Sequence, residues 1–251
     1  MEPSISFVMP VRDRAAMLGD AIGSIVAQTM ADWELIVVDD NSVDPAATQA
    51  VVASFGDARI RSFRLARLHG ANAACARNFG NALARAPIIA VADSDDIFYP
   101  GRARCTLDAF AAHGCDVFYA DFDVWDCSAD RFVETGSDPV IAFDPAALAR
   151  YDFIPHGSSA YRRELALMFP YNSFMTRSSD YDFFTRLATF GARFHFHPEK
   201  IYKYRLHDGS LVRRYDAASF DDFIRQSRGW SPWDKALTGR LVDGLEAASR
   251  A

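Results

Sequence analysis

Over the first ~120 residues, short apolar runs alternate with stretches of helical period, the pattern of a parallel α/β sheet. Ile5 to Met9 reads as a buried strand that Pro10 ends, and Met17, Leu18, Ala21, Ile22, Ile25 and Val26 recur at helical spacing. Glu34 to Val38 is a second strand, which stops in Asp39-Asp40-Asn41-Ser42. A strand near Ile60 to Leu65 follows, then an alanine-rich helix from about Asn72 to Ala84. Ile88 to Ala92 is a further buried strand running into Asp93-Ser94-Asp95-Asp96, and Pro100 opens the next helix.

From Val117 the pattern changes, with strands such as Val117 to Phe122 set among irregular, aromatic-rich segments. Ser178 to Phe190 reads as a helix with Ser178 or Ser179 as N-cap and Tyr181, Phe184, Leu187 and Ala188 on one face. Beyond Tyr215 further helices are expected, interrupted by Gly229 and Pro232. Phe118, Tyr119, Trp125 and Phe132 can fill a core or stack on a sugar, and core filling is the better reading.

Two strands thus deliver acidic turns at their carboxyl ends, where open parallel sheets bind ligands. Asp93, Asp95 and Asp96 repel one another unless something cationic joins them. Mg²⁺ or Mn²⁺, shared between a carboxylate or two and substrate phosphates, suits such a turn, and a solvated helix cap is the bland alternative. Asp39 to Asp44 can hold a base or ribose, or form a local Asx-turn. Pro10-Val11-Arg12-Asp13 follows the first strand at the same rim. Arg12 can meet a phosphate there, and Asp13 is expected to cap the next helix or touch the base. Arg77 can approach the nucleobase or diphosphate, or pair structurally.

The chain has 251 residues and a net charge of -6, which excludes a general grip on nucleic-acid phosphates. Cys75, Cys105, Cys115 and Cys127 form no metal spacing and read as reduced packing residues of a cytoplasmic protein. The first ten residues do not read as a signal peptide, and no run approaches the ~20 apolar residues of a membrane span. Contact with a membrane, if made, is expected to be peripheral, at its inner face.

Taken in order, five segments resemble family 2 glycosyltransferases of the GT-A fold. They are Ser24 to Asp44, Ala76-Arg77-Asn78-Phe79-Gly80, Val91 to Asp96, Ser179 to Leu187, and Tyr204-Arg205-Leu206-His207-Asp208-Gly209-Ser210. The likeness covers about residues 4 to 212. It implies a Rossmann-like, mixed but mainly parallel sheet flanked by helices, in a single catalytic domain over 1–212. Residues 1–116 would be its nucleotide-binding half and 117–212 its acceptor half, with a C-terminal helical extension over 213–251.

The resemblance also implies roles. Pro10, Asp13 and Asp40 would line the nucleobase pocket with Arg77 near it. Asp93 would touch the ribose or the metal's water shell, Asp95 would hold Mn²⁺ or Mg²⁺, and His207 would add a metal or phosphate contact. Asp180 would be the general base of an inverting transfer of one hexosyl or N-acetylhexosaminyl group. The donor would be a nucleotide sugar, above all a UDP-sugar, and the acceptor a hydroxyl of a glycan, a lipid-linked sugar or a small molecule. Asp182 and His156 would face that acceptor, and Asp96 would be structural.

Two departures matter. Ser179 stands where many relatives carry Glu, which removes one acceptor-side carboxylate. Gln226, Arg228 and Trp230 have the residue types of the processive synthases at the wrong spacing, so single addition is expected over polymerisation. A sugar nucleotidyltransferase is the first alternative, although Pro10 to Arg14 lacks the glycines of its phosphate loop. A catalytically silent nucleotide-sugar-binding domain is the second, although it would need neither Asp95 nor Asp180.

Overall fold

The computed structural model describes residues 2–65, 72–134, 140–175 and 178–210. The helices expected beyond Tyr215, and with them the 213–251 extension, lie outside the described residues.

The chain runs β1 (Ile5–Val11), α1 (Ala15–Val26), β2 (Trp33–Asp39), α2 (Pro45–Ser54), β3 (Ile60–Arg64), α3 (Ala73–Leu83), β4 (Ile88–Val91), β5 (Ile97–Phe98) and α4 (Arg102–His113). It continues through β6 (Val117–Asp126), β7 (Arg131–Val133), α5 (Pro145–Leu148), a 3₁₀ turn (His156–Ser158), β8 (Ala160–Arg162), α6 (Arg163–Met168), α7 (Ser179–Phe190) and β9 (Phe194–Leu206). One sheet joins all the described strands in the order β3-β2-β1-β4-β8-β6-β9-β5, with β7 paired to β6. β3, β2, β1 and β4 are parallel, whereas β8 is antiparallel to both of its neighbours, β4 and β6. That single reversal turns β6, and β9 parallel to it, back to the direction of β1. The carboxyl ends of β1, β2, β4 and β9 therefore share one rim.

Alternation in the strands sorts their side chains to two cores. Phe7, Met9, Leu35, Val37 and Ala90 pack in one core with Leu18, Ile22 and Ile25 of α1 and Ala103 and Phe110 of α4. Val8, Ile36, Val38, Ile89 and Val91 face the other core, with Ala74 and Ala76 of α3 and Phe183, Phe184 and Leu187 of α7. Burial on both faces explains why these strands read as unbroken apolar runs.

Four local expectations are corrected. β1 continues through Pro10 to Val11, because its neighbour β4 ends opposite Val8 and asks no N–H of residue 10 on that side. Ser178 does not cap α7: it is left-handed at φ 50° and makes no side-chain cap bond. Cys127 is exposed rather than packed, and all four cysteines are free thiols. Phe118 and Tyr119 are core residues, but Phe132 is 55% exposed, set edge-on against Trp125.

Gly80 lets α3 lie directly on the sheet. A Cβ there would overlap Val8 Cγ1 and press on Val38 Cγ2 at 3.4 Å. Gly80→Ala is expected to destabilise the protein by about 1–3 kcal/mol, read as a lower urea midpoint with an unchanged slope. An unchanged midpoint would show that α3 can shift without loss.

Candidate active site at the carboxyl rim of the sheet

The β1 and β2 turns are latched together before they meet any ligand. Asp13 is left-handed at φ 51°; its N–H donates to Ser42 Oγ (3.1 Å), and its Oδ1 accepts the Val43 N–H (2.7 Å). This corrects its expected role as a helix cap, since Arg14 is the N-cap of α1 and makes no side-chain cap bond. Asp39 accepts the Ser42 N–H (2.7 Å), and Asp44 caps α2 through the Ala47 N–H (3.1 Å), so part of this acidic run is an Asx-turn. Asp40 is buried, and its Oδ2 accepts the Asn72 N–H (2.7 Å) at the entrance of α3. Pro10 is buried beside Val38, whereas Arg12 is exposed and pairs with Asp13 at 3.4 Å.

At the end of β4 the three acids diverge, Asp93 and Asp95 toward different cations and Asp96 toward a backbone N–H. Asp93 Oδ1 accepts from the Arg77 guanidinium at 2.8 Å. Burial alone would raise the Asp93 carboxyl, but Arg77, with His156 and Arg102, outweighs it and holds the group below its ordinary range. Asp95 Oδ2 lies 3.1 Å from His207 Nε2 and 3.4 Å from Arg14. Asp96 is 1% exposed and accepts the Arg205 N–H (3.0 Å). Burial and the neighbouring Asp93 and Asp95 push its carboxyl well above the usual range.

Sequence reasoning missed Arg102, Arg205 and Arg14. Arg102 is fully buried under the turn, donates to the Val91 carbonyl and stacks over Phe98. Its burial lowers it to about 10, against which Tyr202, Asp93 and Asp96 favour its charge. A signal was present, since a cation at the first residue of a helix opposes the macrodipole unless nearby acids compensate. Arg205 reaches from β9 to the Asp95 carbonyl, the Asp20 carboxylate and the Met17 carbonyl. Arg14 spans Asp95, His207 and the Gly209 carbonyl.

On the far side of Asp93 stands His156. Its Nδ1 is 4.0 Å from Asp93 Oδ2, and its Nε2 bonds Tyr171 OH at 2.9 Å. Burial and then Arg77 push it down to about 4, so the ring is neutral at neutral pH. Asn78 brackets Tyr171 by accepting its N–H and donating to its carbonyl, both at 2.8 Å. Asp180, in the first turn of α7, acts electrostatically on Arg77, His156 and Tyr171. Asp182 is not brought to this pocket. Two residues on, it points about 200° around the helix from Asp180, and its Oδ2 holds Arg186 at 2.9 Å.

Asp95 and His207 are the two groups here that suit a divalent cation. Their separation of 3.1 Å and their mixed oxygen and imidazole chemistry fit two adjacent ligands of Mn²⁺, and Arg14 already places positive charge against both. Among the described residues no three His, Cys, Asp or Glu side chains converge on one metal position. Phosphate oxygens and water would complete such a shell.

Comparison with known proteins gives the family and the fold. The family model described as "Glycosyl transferase family 2" matches residues 6–184, and the chain belongs to that family. It is 38% identical over 122 residues to the succinoglycan biosynthesis protein ExoO of Rhizobium meliloti (strain 1021), covering 49% of this chain and 34% of that one. It is 28% identical over 206 residues to ExoU of the same organism, covering 76% and 58%. The chain thus spans about a third to three fifths of the length of these relatives. S. aureus TarS 1–349 in complex with UDP-GlcNAc superposes with a TM-score of 0.69 at 17% identity, covering 86% of this chain and 62% of that one. The mannosyltransferase PcManGT of Pyrobaculum calidifontis, in complex with GDP-Man and Mn²⁺, superposes at 0.64 and 17%, covering 85% and 60%. The fold is GT-A, in one domain.

His156 makes stability depend on pH. Its folded value of about 4 lies below its ordinary 6.5, so in that window the unfolded chain binds a proton that the folded chain does not. Stability is present above 6.5 and falls as pH drops toward 4, by on the order of 3 kcal/mol. His156→Asn is expected to flatten this slope in urea unfolding between pH 7 and 4. An equal slope in both proteins would place its origin elsewhere.

Proposed function

We propose that the protein transfers one sugar, with inversion, from a nucleoside-diphosphate sugar to an acceptor hydroxyl, and that UDP-sugars are its donors. One observation carries this reading: Asp93 and Asp180 act on the same Arg77–His156 pair. In this reading the turn that would hold the donor and the carboxylate that would serve the acceptor bear on the same two side chains. The complexes of TarS with UDP-GlcNAc and of PcManGT with GDP-Man support a nucleotide-sugar donor, and the succinoglycan relatives support a saccharide acceptor.

In this reading Pro10, Asp40 and the latch of Asp13 with Ser42 and Val43 shape the nucleoside end, and Arg12 stands at its outer edge. Arg77 fixes Asp93 toward the ribose or the phosphates. Asp95 and His207 would hold Mn²⁺ or Mg²⁺, which when bound offsets the charge gathering on the leaving diphosphate. Asp180 takes the proton of the acceptor hydroxyl as its oxygen attacks the anomeric carbon from the side opposite the departing phosphate oxygen. Attack from that side inverts the anomeric centre. His156, neutral and held by Tyr171, presents an uncharged wall between the two carboxylates and faces the acceptor. The glycan, lipid-linked or small-molecule character of that acceptor is set by the segments after Val117.

Calorimetry with UDP- and GDP-sugars, with and without Mn²⁺, tests the donor. Metal-dependent binding is expected, and Asp95→Ala is expected to weaken it at least tenfold, roughly the loss of one charged contact. Asp180→Asn is expected to keep donor affinity and lose about 10²–10⁴-fold in transfer rate. If no nucleotide sugar binds in a metal-dependent way, this reading fails.

A further inference from the structure

His156 is the outer end of a buried chain of hydrogen bonds that leads away from the pocket. Its turn is fixed in place. Ser159 Oγ donates to the His156 carbonyl at 2.7 Å, and a Cβ on Gly157 would stand 2.8 Å from the Tyr202 ring. The imidazole lies at right angles to the Tyr171 ring, with its Nε2 2.9 Å from Tyr171 OH. Tyr171 OH donates to Tyr161 OH at 3.2 Å, and Tyr161 OH donates to Asn81 Oδ1 at 3.3 Å. Tyr161, Tyr171 and Asn81 are at most 1% exposed. Tyr171 also stacks on Phe183, with ring centroids 4.3 Å apart, and its backbone is held by Asn78.

The direction of this chain decides where the imidazole carries its proton. A phenol has one proton to donate. Tyr161 gives its own to Asn81, so its oxygen receives that of Tyr171, and the Tyr171 oxygen in turn accepts from His156. The neutral ring therefore holds its proton on Nε2 and leaves Nδ1 bare. That bare nitrogen faces Asp93 Oδ2 at 4.0 Å. Both are acceptors, and neither can satisfy the other. Adjacent hydroxyls of a sugar ring, donating one to each, satisfy both.

We propose that Tyr171, Tyr161 and Asn81 are positioning residues that fix His156 as a hydrogen-bond acceptor, and that His156 Nδ1 and Asp93 Oδ2 together receive adjacent hydroxyls of the sugar being transferred. This rests on the transfer proposed above. Asp93 belongs to the turn that would hold the donor, and Asp180 acts on His156 from the acceptor side. The sugar that passes between donor and acceptor is thus the part of the substrate that meets His156. Arg77 engages Asp93 through Oδ1 and leaves Oδ2 for this contact. A ring with its proton on Nδ1 would instead donate toward Asp93 and offer no acceptor to a hydroxyl. A site built to bond a hydroxyl rejects a sugar that lacks it, so the chain's direction sets specificity as well as affinity.

Nitrogen-15 NMR at pH 7 reads the tautomer without any ligand, and the His156→Asn spectrum identifies the His156 signals among the six histidines. Wild type is expected to be protonated at Nε2. Tyr161→Phe removes the acceptor of Tyr171 OH, which then turns to donate to Nε2, and the proton should move to Nδ1. Tyr171→Phe keeps the stack on Phe183 and should give both tautomers. Each variant predicts its own tautomer, so one that fails to fold leaves the other as the test.

Calorimetry with UDP and with UDP-glucose or UDP-GlcNAc, each with Mn²⁺, reads the consequence. Tyr161→Phe is expected to weaken the UDP-sugar about 3–10-fold, the worth of one neutral hydrogen bond, and to bind UDP within about twofold of wild type. Tyr171→Phe should fall between. The proposal is overturned if wild-type His156 is protonated at Nδ1, the pattern of a chain running from the Asn81 amide toward Asp93. It is equally overturned if Tyr161→Phe leaves either the tautomer or the UDP-sugar affinity unchanged. An equal loss for UDP and the UDP-sugar would assign the hydroxyls to the ribose and overturn their assignment to the transferred sugar. Failure of wild type to bind any nucleotide sugar would instead defeat the transfer reading, and the tautomers would still decide whether the chain fixes the ring.

Discussion

Concentrated negative charge at one edge of the sheet is the constraint to which the rest of the molecule answers. β4 delivers three carboxylates within four residues, and they converge on a rim where water is partly excluded. Like charges so placed repel strongly unless each is met or neutralised. The protein solves this separately for each acid. Arg77 meets Asp93 from α3, Arg14 and His207 meet Asp95 from the start of α1 and the end of β9, and Asp96 accepts the backbone N–H of Arg205. Arg102, fully buried, places a positive charge near Asp93 and Asp96. Helices on both faces of the sheet and a strand from its far half are thereby committed to one turn.

The topology follows from the same demand. A sheet that stayed parallel beyond β4 would have needed another crossover helix before its next strand. The short antiparallel β8 instead lets the 3₁₀ turn arrive directly beside β4, so His156 enters next to Asp93. It also returns β6 and β9 to the common direction, which is why His207 reaches the rim from the second half of the chain. Close packing serves position as much as stability: Gly80 lets α3 sit low enough for Arg77 to touch Asp93, and Asn78 on the same helix sets Tyr171 against His156.

The sheet's parallel half was legible because strands buried on both faces are unbroken apolar runs, and the turns after β2 and β4 were legible because acids directly follow them. The same local reading went astray where a tertiary contact overrode a local preference. Asp13 looks like a helix cap, but the turn after β2 claims its carboxylate. Ser178 looks like an N-cap, yet its backbone is left-handed. Asp182 shares a motif with Asp180, and only helical geometry separates them. Arg102 was silent because an isolated charge in sequence carries no sign of what folds over it, although its awkward place at a helix start hinted at one; Arg205 stood in a recognised motif, but nothing in that motif named the partners it grips. The family resemblance supplied the order of the motifs; the cations that hold the acids apart came from the fold.

Arg205 has an implication for building hybrids. From β9 it grips the Asp95 carbonyl, Asp20 and the Met17 carbonyl, all contributed by the first half of the chain, and it is itself 8% exposed. Exchanging everything after Val117 for the corresponding part of another relative, to graft a new acceptor preference, also exchanges this bolt. A recipient that retains Asp20 and the Met17 carbonyl but receives a different residue at that position would lose the clamp between α1 and the acidic turn. Modularity in this protein therefore ends within β9, and a workable splice would return to the native chain ahead of Tyr204.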